Sequence, residues 1–149
     1  MTDSSVLSAP LVVEYPFTRT VGPVQSAFFT GLREGIVVGV RMSDGGVMCP
    51  PVEYDPHTAE ALTELVEVGS AGEVTSWAWQ AETRTGQPFD RPFAWALVKL
   101  DGADTAMLHA VDVASAADMS TGMRVQIRWA DERQGDITDI ACFEPEAGA

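Results

Sequence analysis

The chain has 149 residues, 46% of them apolar and 21% charged, which suits one compact domain with its own core and not a disordered chain. Its 22 acidic and 9 basic residues leave a formal charge of −13, and Lys99 is the one lysine. A surface of that sign repels polyanions, which argues against general binding to DNA, RNA or an anionic membrane.

Residues 1–17 carry no basic n-region and no apolar h-region of signal-peptide length, and no stretch approaches the ~20 apolar residues that span a bilayer. The expectation is a cytoplasmic protein. Cys49 and Cys142 lie far apart in the chain and read as free thiols of a reducing compartment, with no redox or cluster spacing.

Residues 1–10 are small, polar and aperiodic and read as a tail, with a lead-in to residue 21. Pro23 then suits the first helical position, and Val24, Ala27, Phe28, Gly31 and Leu32 recur at helical spacing with Gly35 as terminator, so 23–34 is a predicted helix. Phe28 and Phe29 cannot both lie on its apolar face, because neighbours differ by about 100° around the axis. One of them is expected to face a second surface, within the protein or on a partner.

Ile36 to Met42 and Val47 to Cys49 flank Ser43-Asp44-Gly45-Gly46, a strong hairpin signal. Pro50-Pro51 ends the pairing, 52–58 reads as an irregular connection, and 59–64 as a brief turn of helix. Six short strands are predicted beyond: Leu65 to Val68, Gly72 to Trp79, Phe93 to Leu100, Ala106 to Val113, Met123 to Trp129 and Ile137 to Phe143. Met123, Val125, Ile127 and Trp129 alternate with Arg124, Gln126 and Arg128, giving one buried and one wet face. With an insertion near 114–121, the pattern suggests a mainly β fold with an OB-like barrel of five to six strands, a β-sandwich being the alternative. The expected division is a lead-in over 1–21, helix and hairpin over 22–60, and barrel over 61–145, as one unit.

No Gly-x-Ser-x-Gly, Walker, Gly-x-Gly-x-x-Gly or His-Glu-x-x-His pattern occurs, so no catalytic residue is assigned. His109 shares its predicted strand face with Met107, Val111 and Val113 and reads as a core or barrel-lining histidine; an acid–base role with a nearby carboxylate, as in a small hydratase or aldolase, is the enzyme-class alternative. His57 reads as a surface loop residue, and the scattered carboxylates as a solvated face. Trp77 and Trp79 fall on one strand face and can stack ligands. Arg91, Arg124 and Arg128 are candidates for a phosphate-sized contact, without the groove a nucleic acid needs.

The stretch GVRMSDGGVMCPPVEYDPHT, preceded by a helix and followed by WAW and GMRVQIRW, resembles the family that joins a rubredoxin-like zinc ribbon to an OB-fold, domain of unknown function 35. That family's ribbon reads Cys-x-x-Cys-Gly, four residues, Pro-Pro, three residues, Cys-Pro-x-Cys. Aligning Gly45 and Pro50-Pro51 puts Arg41, Asp44, Asp55 and Thr58 at the four ligand positions, with Pro56 matched. Four thiolates hold a tetrahedral zinc, and this set does not, so a metal-free ribbon is expected. Cys49 is not at a ligand position. An Arg41 pair with Asp44 or Asp55 is expected to bridge the old knuckles, with packing of Val47, Pro50, Pro51 and Tyr54 supplying most of the rest.

The resemblance implies an accessory subunit that docks on a thiolase-like enzyme of the lipid-transfer-protein type, in acyl-CoA metabolism or degradation of steroid side chains as CoA thioesters. Phe28, Phe29, Leu32, Tyr54, Trp77 and Trp79 are then the candidate partner or ligand contacts. No cofactor is expected, beyond a possible coenzyme A thioester contact within the complex. An independent acyl-CoA or lipid-binding module is the alternative.

Overall fold

The computed structural model describes residues 8–148. Helix α1 spans Pro23–Glu34, and its buried face is Val24, Phe28, Gly31 and Leu32, while Ala27, also expected on that face, is half-buried at its margin. Its N-terminus is capped from elsewhere in the chain. Gly22 supplies no side chain, and Glu53 accepts the backbone N–H of Gln25 through Oε1 at 2.9 Å and that of Val24 through Oε2 at 3.3 Å. Two otherwise orphaned donors are satisfied, and the carboxylate complements the positive end of the helix. A Cβ on Gly22 would lie 2.4–2.7 Å from the Glu53 carboxyl atoms, so glycine makes room for this cap.

The predicted hairpin forms from β1 (Val37–Arg41) and β2 (Val47–Met48). Gly45 takes φ +88° in the turn, a conformation glycine adopts without steric cost. Strand β3 (Leu65–Val68) pairs antiparallel with β1, giving a three-stranded sheet of order β2-β1-β3. This strand, within the span expected to form the barrel, therefore belongs with the hairpin. The helical turn expected over 59–64 does not form. Asp55 N–H bonds to the Glu60 carbonyl, Leu62 N–H to the Glu53 carbonyl, and Tyr54 bridges Ala61. Those antiparallel bonds engage the backbone groups that a helix would need.

The remaining strands are β4 (Ala71–Gln80), β5 (Phe93–Leu100), β6 (Met107–Val111), β7 (Arg124–Trp129) and β8 (Ile140–Pro145). They close into a five-stranded barrel of order β4-β5-β6-β8-β7, with β4 pairing β7 antiparallel and β6 pairing β8 in parallel. This is the OB arrangement, and closure removes the sandwich alternative. Strand β8 starts later than predicted because Ile137–Asp139 form a 3-10 turn, where Asp136 accepts the Thr138 N–H. The insertion expected near 114–121 contains a second 3-10 turn, Ala116–Asp118.

One core runs through all parts. Phe28 and Leu32 from α1, Val37, Val47 and Cys49 from the hairpin region, and Val74, Ala96, Val111, Val125 and Phe143 from the barrel share a single buried cluster. The helix and hairpin are therefore fixed to the barrel by apolar burial, the dominant favourable term in folding.

Candidate functional site

Of the four positions that the resemblance aligns with zinc ligands, Arg41 ends β1, Asp44 lies in the β1–β2 turn, and Asp55 and Thr58 lie in the loop after Pro51. Arg41 pairs through Nε with Glu64 at 2.7 Å and donates to the Gly45 carbonyl at 3.0 Å, not to Asp44 or Asp55 as expected. Glu64 lies next to β3, which the β1 pairing brings alongside Arg41. Asp44 accepts the Gly46 N–H, and exposed Thr58 accepts the Glu60 N–H. Asp55 is 2% exposed. Its Oδ2 accepts the Ser43 N–H of the first knuckle at 2.8 Å; its Oδ1 accepts the His57 and Thr58 N–H groups of the second at 2.7 and 3.2 Å. One carboxylate thus cross-links both knuckles, and the hydrogen bonds from Ser43 and then His57 hold its pKa well below the usual carboxylate range. With those oxygens committed to backbone donors, a guanidinium at the first position and a hydroxyl at the fourth, the residues do not fit the family's zinc. Among the described residues no group of three or more His, Cys, Asp or Glu side chains is placed to hold a metal ion.

Of the packing expected around the ribbon, Val47 and Pro51 are buried, whereas Pro50 is exposed and Tyr54 is 64% exposed. Tyr54 is thus available to a partner. Phe28 and Leu32 are not: at 3% and 0% exposure they are core residues, because the helix turns that face onto the barrel. Phe29 is partly buried, its ring 5.4 Å from that of Phe28. Phe29 thus packs at the margin of the same cluster that holds Phe28, not on a separate surface.

Trp77 and Trp79 do share a face, but it is the inner one. A bulge between Val74 and Ser76 resets the alternation of β4, and the two tryptophans stand opposite Ala96 and Ala94, packed on the core. Small alanines on β5 give the indoles their room.

The arginines nominated for phosphate are each engaged. Arg128 bonds Asp112 at 2.8 Å and Glu144 at 3.0 Å, and Arg91 bonds the other Asp112 oxygen at 2.7 Å. Arg124 bonds Asp101 at 2.7 Å and Glu146 at 2.8 Å. The structure brings Arg91 and Arg128 together around Asp112; Arg124 belongs to a separate cluster. Two positive and two negative charges meet at Asp112, so the first cluster is electrically balanced. Burial raises the Asp112 pKa, but the hydrogen bonds from Arg128 and Arg91 outweigh it and leave the group below its ordinary value.

A groove of about 620 Å³ lies where OB barrels usually bind ligands, across the second and third barrel strands and the adjoining loops. Trp95 of β5, Leu108 of β6, Ile137 and Ile140 supply its apolar wall, and the loop before β5 contributes Gln87 and Pro88. His109 enters from β6, on the same strand face as Met107 and Val111, with its ring against Phe143 at 5.7 Å. Burial pushes its pKa down, and Nδ1 accepts the Ala110 N–H at 2.9 Å. Among the described residues no carboxylate lines the groove, so they do not assemble the acid–base pair of the enzyme-class alternative there. Sequence reasoning placed His109 on one strand face with Met107 and Val111 and missed this wall. Leu108, 62% exposed, was its one readable signal, an apolar residue on the outward phase of a strand whose inward phase is Met107, His109 and Val111.

Residues 65–130 match the family model described as "ChsH2, C-terminal OB-fold domain". Among solved structures the chain is similar to an "Ltp2-ChsH2(DUF35) aldolase", with TM-score 0.61 and 20% identity over 86% of this chain and 98% of that one. It is also similar to a protein of unknown function from the DUF35 family of Sulfolobus solfataricus, with TM-score 0.57 and 22% identity over 71% and 78%. No curated protein matches the chain. The two solved structures share the fold of this chain, and residues 65–130, which run from β3 to the end of β7, carry the match to the ChsH2 C-terminal OB-fold domain.

Proposed function

We propose that this chain is a non-catalytic accessory subunit that docks on a thiolase-like enzyme of the lipid-transfer-protein type, acting on acyl-CoA or steroid side-chain CoA thioesters. The observation that carries this reading is the likeness, over 86% of this chain and 98% of the other, to the Ltp2-ChsH2(DUF35) aldolase. The electrically balanced cluster around Asp112 supports it, since that cluster has no surplus cation for the phosphates of a free CoA. Co-expression with a thiolase-like protein of the lipid-transfer-protein type, followed by size-exclusion chromatography, tests the reading. Co-elution is expected, and separate elution from every such enzyme tried rejects it.

The ribbon works without metal in this reading, because Asp55 supplies the cross-link between knuckles. Stoichiometric zinc in the purified chain would contradict that. The groove of Trp95, Leu108, Ile137 and Ile140 favours a second reading, an independent lipid-binding module. Calorimetric titration of the isolated chain with long-chain acyl-CoA distinguishes it: heat of binding supports the module, and none removes it.

A further inference from the structure

Residues 8–22 form no helix or strand, yet they contain the most exposed apolar run among the described residues. Leu11, Val12, Val13, Tyr15 and Phe17 are 70–86% exposed, and contiguous apolar exposure of this kind marks an interaction site. The run is rich in the β-branched and aromatic residues that favour strands. The Tyr15 and Phe17 rings lie 6.0 Å apart, on one side of the chain. In an extended chain the N–H and C=O of one residue point to one edge and those of the next to the other. Pro10 and Pro16 both fall on even positions, so that edge lacks two donors. Leu11, Val13, Tyr15 and Phe17 keep every donor and acceptor on the odd edge. A segment built this way pairs along one edge only and ends a sheet.

We propose that residues 11–17 are a docking arm that adds as an outermost strand to an open sheet edge of the partner enzyme, bordered by lysine or arginine. This rests on the accessory-subunit reading above. The charge distribution selects the occupant. A second copy, also at −13, repels the first, and the arginines at positions 41, 91, 124 and 128 are turned toward carboxylates of their own chain. A basic partner surface is complementary where another copy is not.

The test measures affinity for a co-eluting thiolase-like enzyme with the parent chain, Tyr15→Pro and Val12→Pro. Tyr15→Pro removes a donor from the pairing edge and is expected to weaken binding about tenfold or more, whereas Val12→Pro, on the edge already interrupted and with no change of charge, changes it by less than about threefold. A synthetic peptide of residues 8–21 competes with the full chain. Equal effects of the two proline variants, or no competition, overturn the arm while leaving the accessory-subunit reading intact. Absence of binding by the full chain overturns both. Thermal melts of the variants match the parent, because the arm lies outside the core; a lower melting temperature for Tyr15→Pro overturns the proposal by showing that the arm packs on its own domain.

Discussion

Replacing each of the adjacent phenylalanines of α1 by alanine separates the core face of the helix from its flank. Phe28 is 3% exposed within the shared core, Phe29 is partly buried beside it, and their rings meet edge to face at 5.4 Å and 65°. Truncating a buried phenylalanine removes its transfer free energy and leaves a cavity, about 3–5 kcal/mol in all. That is a large part of the ~5–15 kcal/mol by which domains are stable. At about 2–4 °C per kcal/mol for a chain of this size, the Phe28→Ala melting temperature falls by roughly 6–20 °C. Phe29→Ala forfeits part of the burial and the ring contact, roughly 1–2 kcal/mol. The double variant should show a coupling of about 0.5–1.5 kcal/mol from the lost edge-to-face pair. Urea unfolding followed by tryptophan fluorescence measures all three, with an unchanged slope as the check on two-state behaviour. If Phe29→Ala costs as much as Phe28→Ala, the helix does not pack as described, and the division between core and flank is wrong.

Asp55→Ala removes the carboxylate that accepts N–H groups from both knuckles, so the loops at Ser43 and His57 lose hydrogen-exchange protection while barrel amides keep theirs; uniform loss across the chain would refute a local clasp. Stability should fall in two stages on acidification. His109, with its pKa lowered by burial, resists protonation in the folded state, so stability declines as pH drops below the unfolded value of about 6.5. Asp112 and Asp139 are likewise depressed, burial working against this and hydrogen bonds prevailing, so their contribution is present above about pH 4 and is lost below it. Urea melts across pH measure both stages, and His109→Gln should flatten only the upper one. Burial pushes the Cys49 thiol up to about 12 and Cys142 up to about 11, so a thiol reagent at mildly alkaline pH finds both only after denaturation; fast labelling of either in the native chain would contradict their placement.

The helix, hairpin and barrel strands were legible because each carries a local signal: the spacing of Val24, Phe28 and Leu32, the Asp44-Gly45 turn, the alternation of Val125 and Ile127. Membership of β3 was not, since Leu65 to Val68 looks like any short strand and only its pairing with β1 assigns it. Trp77 and Trp79 shared a face as expected, but the bulge before them decided that the face was internal. The phosphate role given to Arg91, Arg124 and Arg128 came from residue type, and their carboxylate partners lie 16 to 23 positions away in sequence. The resemblance aligns Asp55 with a zinc-ligand position, but its bonds to Ser43, His57 and Thr58 exist only in the folded loop.

Several of the 22 acidic residues hold backbone N–H groups: Glu53 at the helix start, Asp55 between the knuckles, Asp104 on Val47, and Asp139 on Gln134 and Gly135. These carboxylates are part of the wiring of the main chain, and their acidity is incidental to the surface they seem to describe. An attempt to raise the isoelectric point by exchanging acids for amides or lysines would therefore meet two populations. Substitutions on the solvated faces alter only the field around the protein, while those at Glu53, Asp55, Asp104 or Asp139 unfasten the loops that join helix, ribbon and barrel.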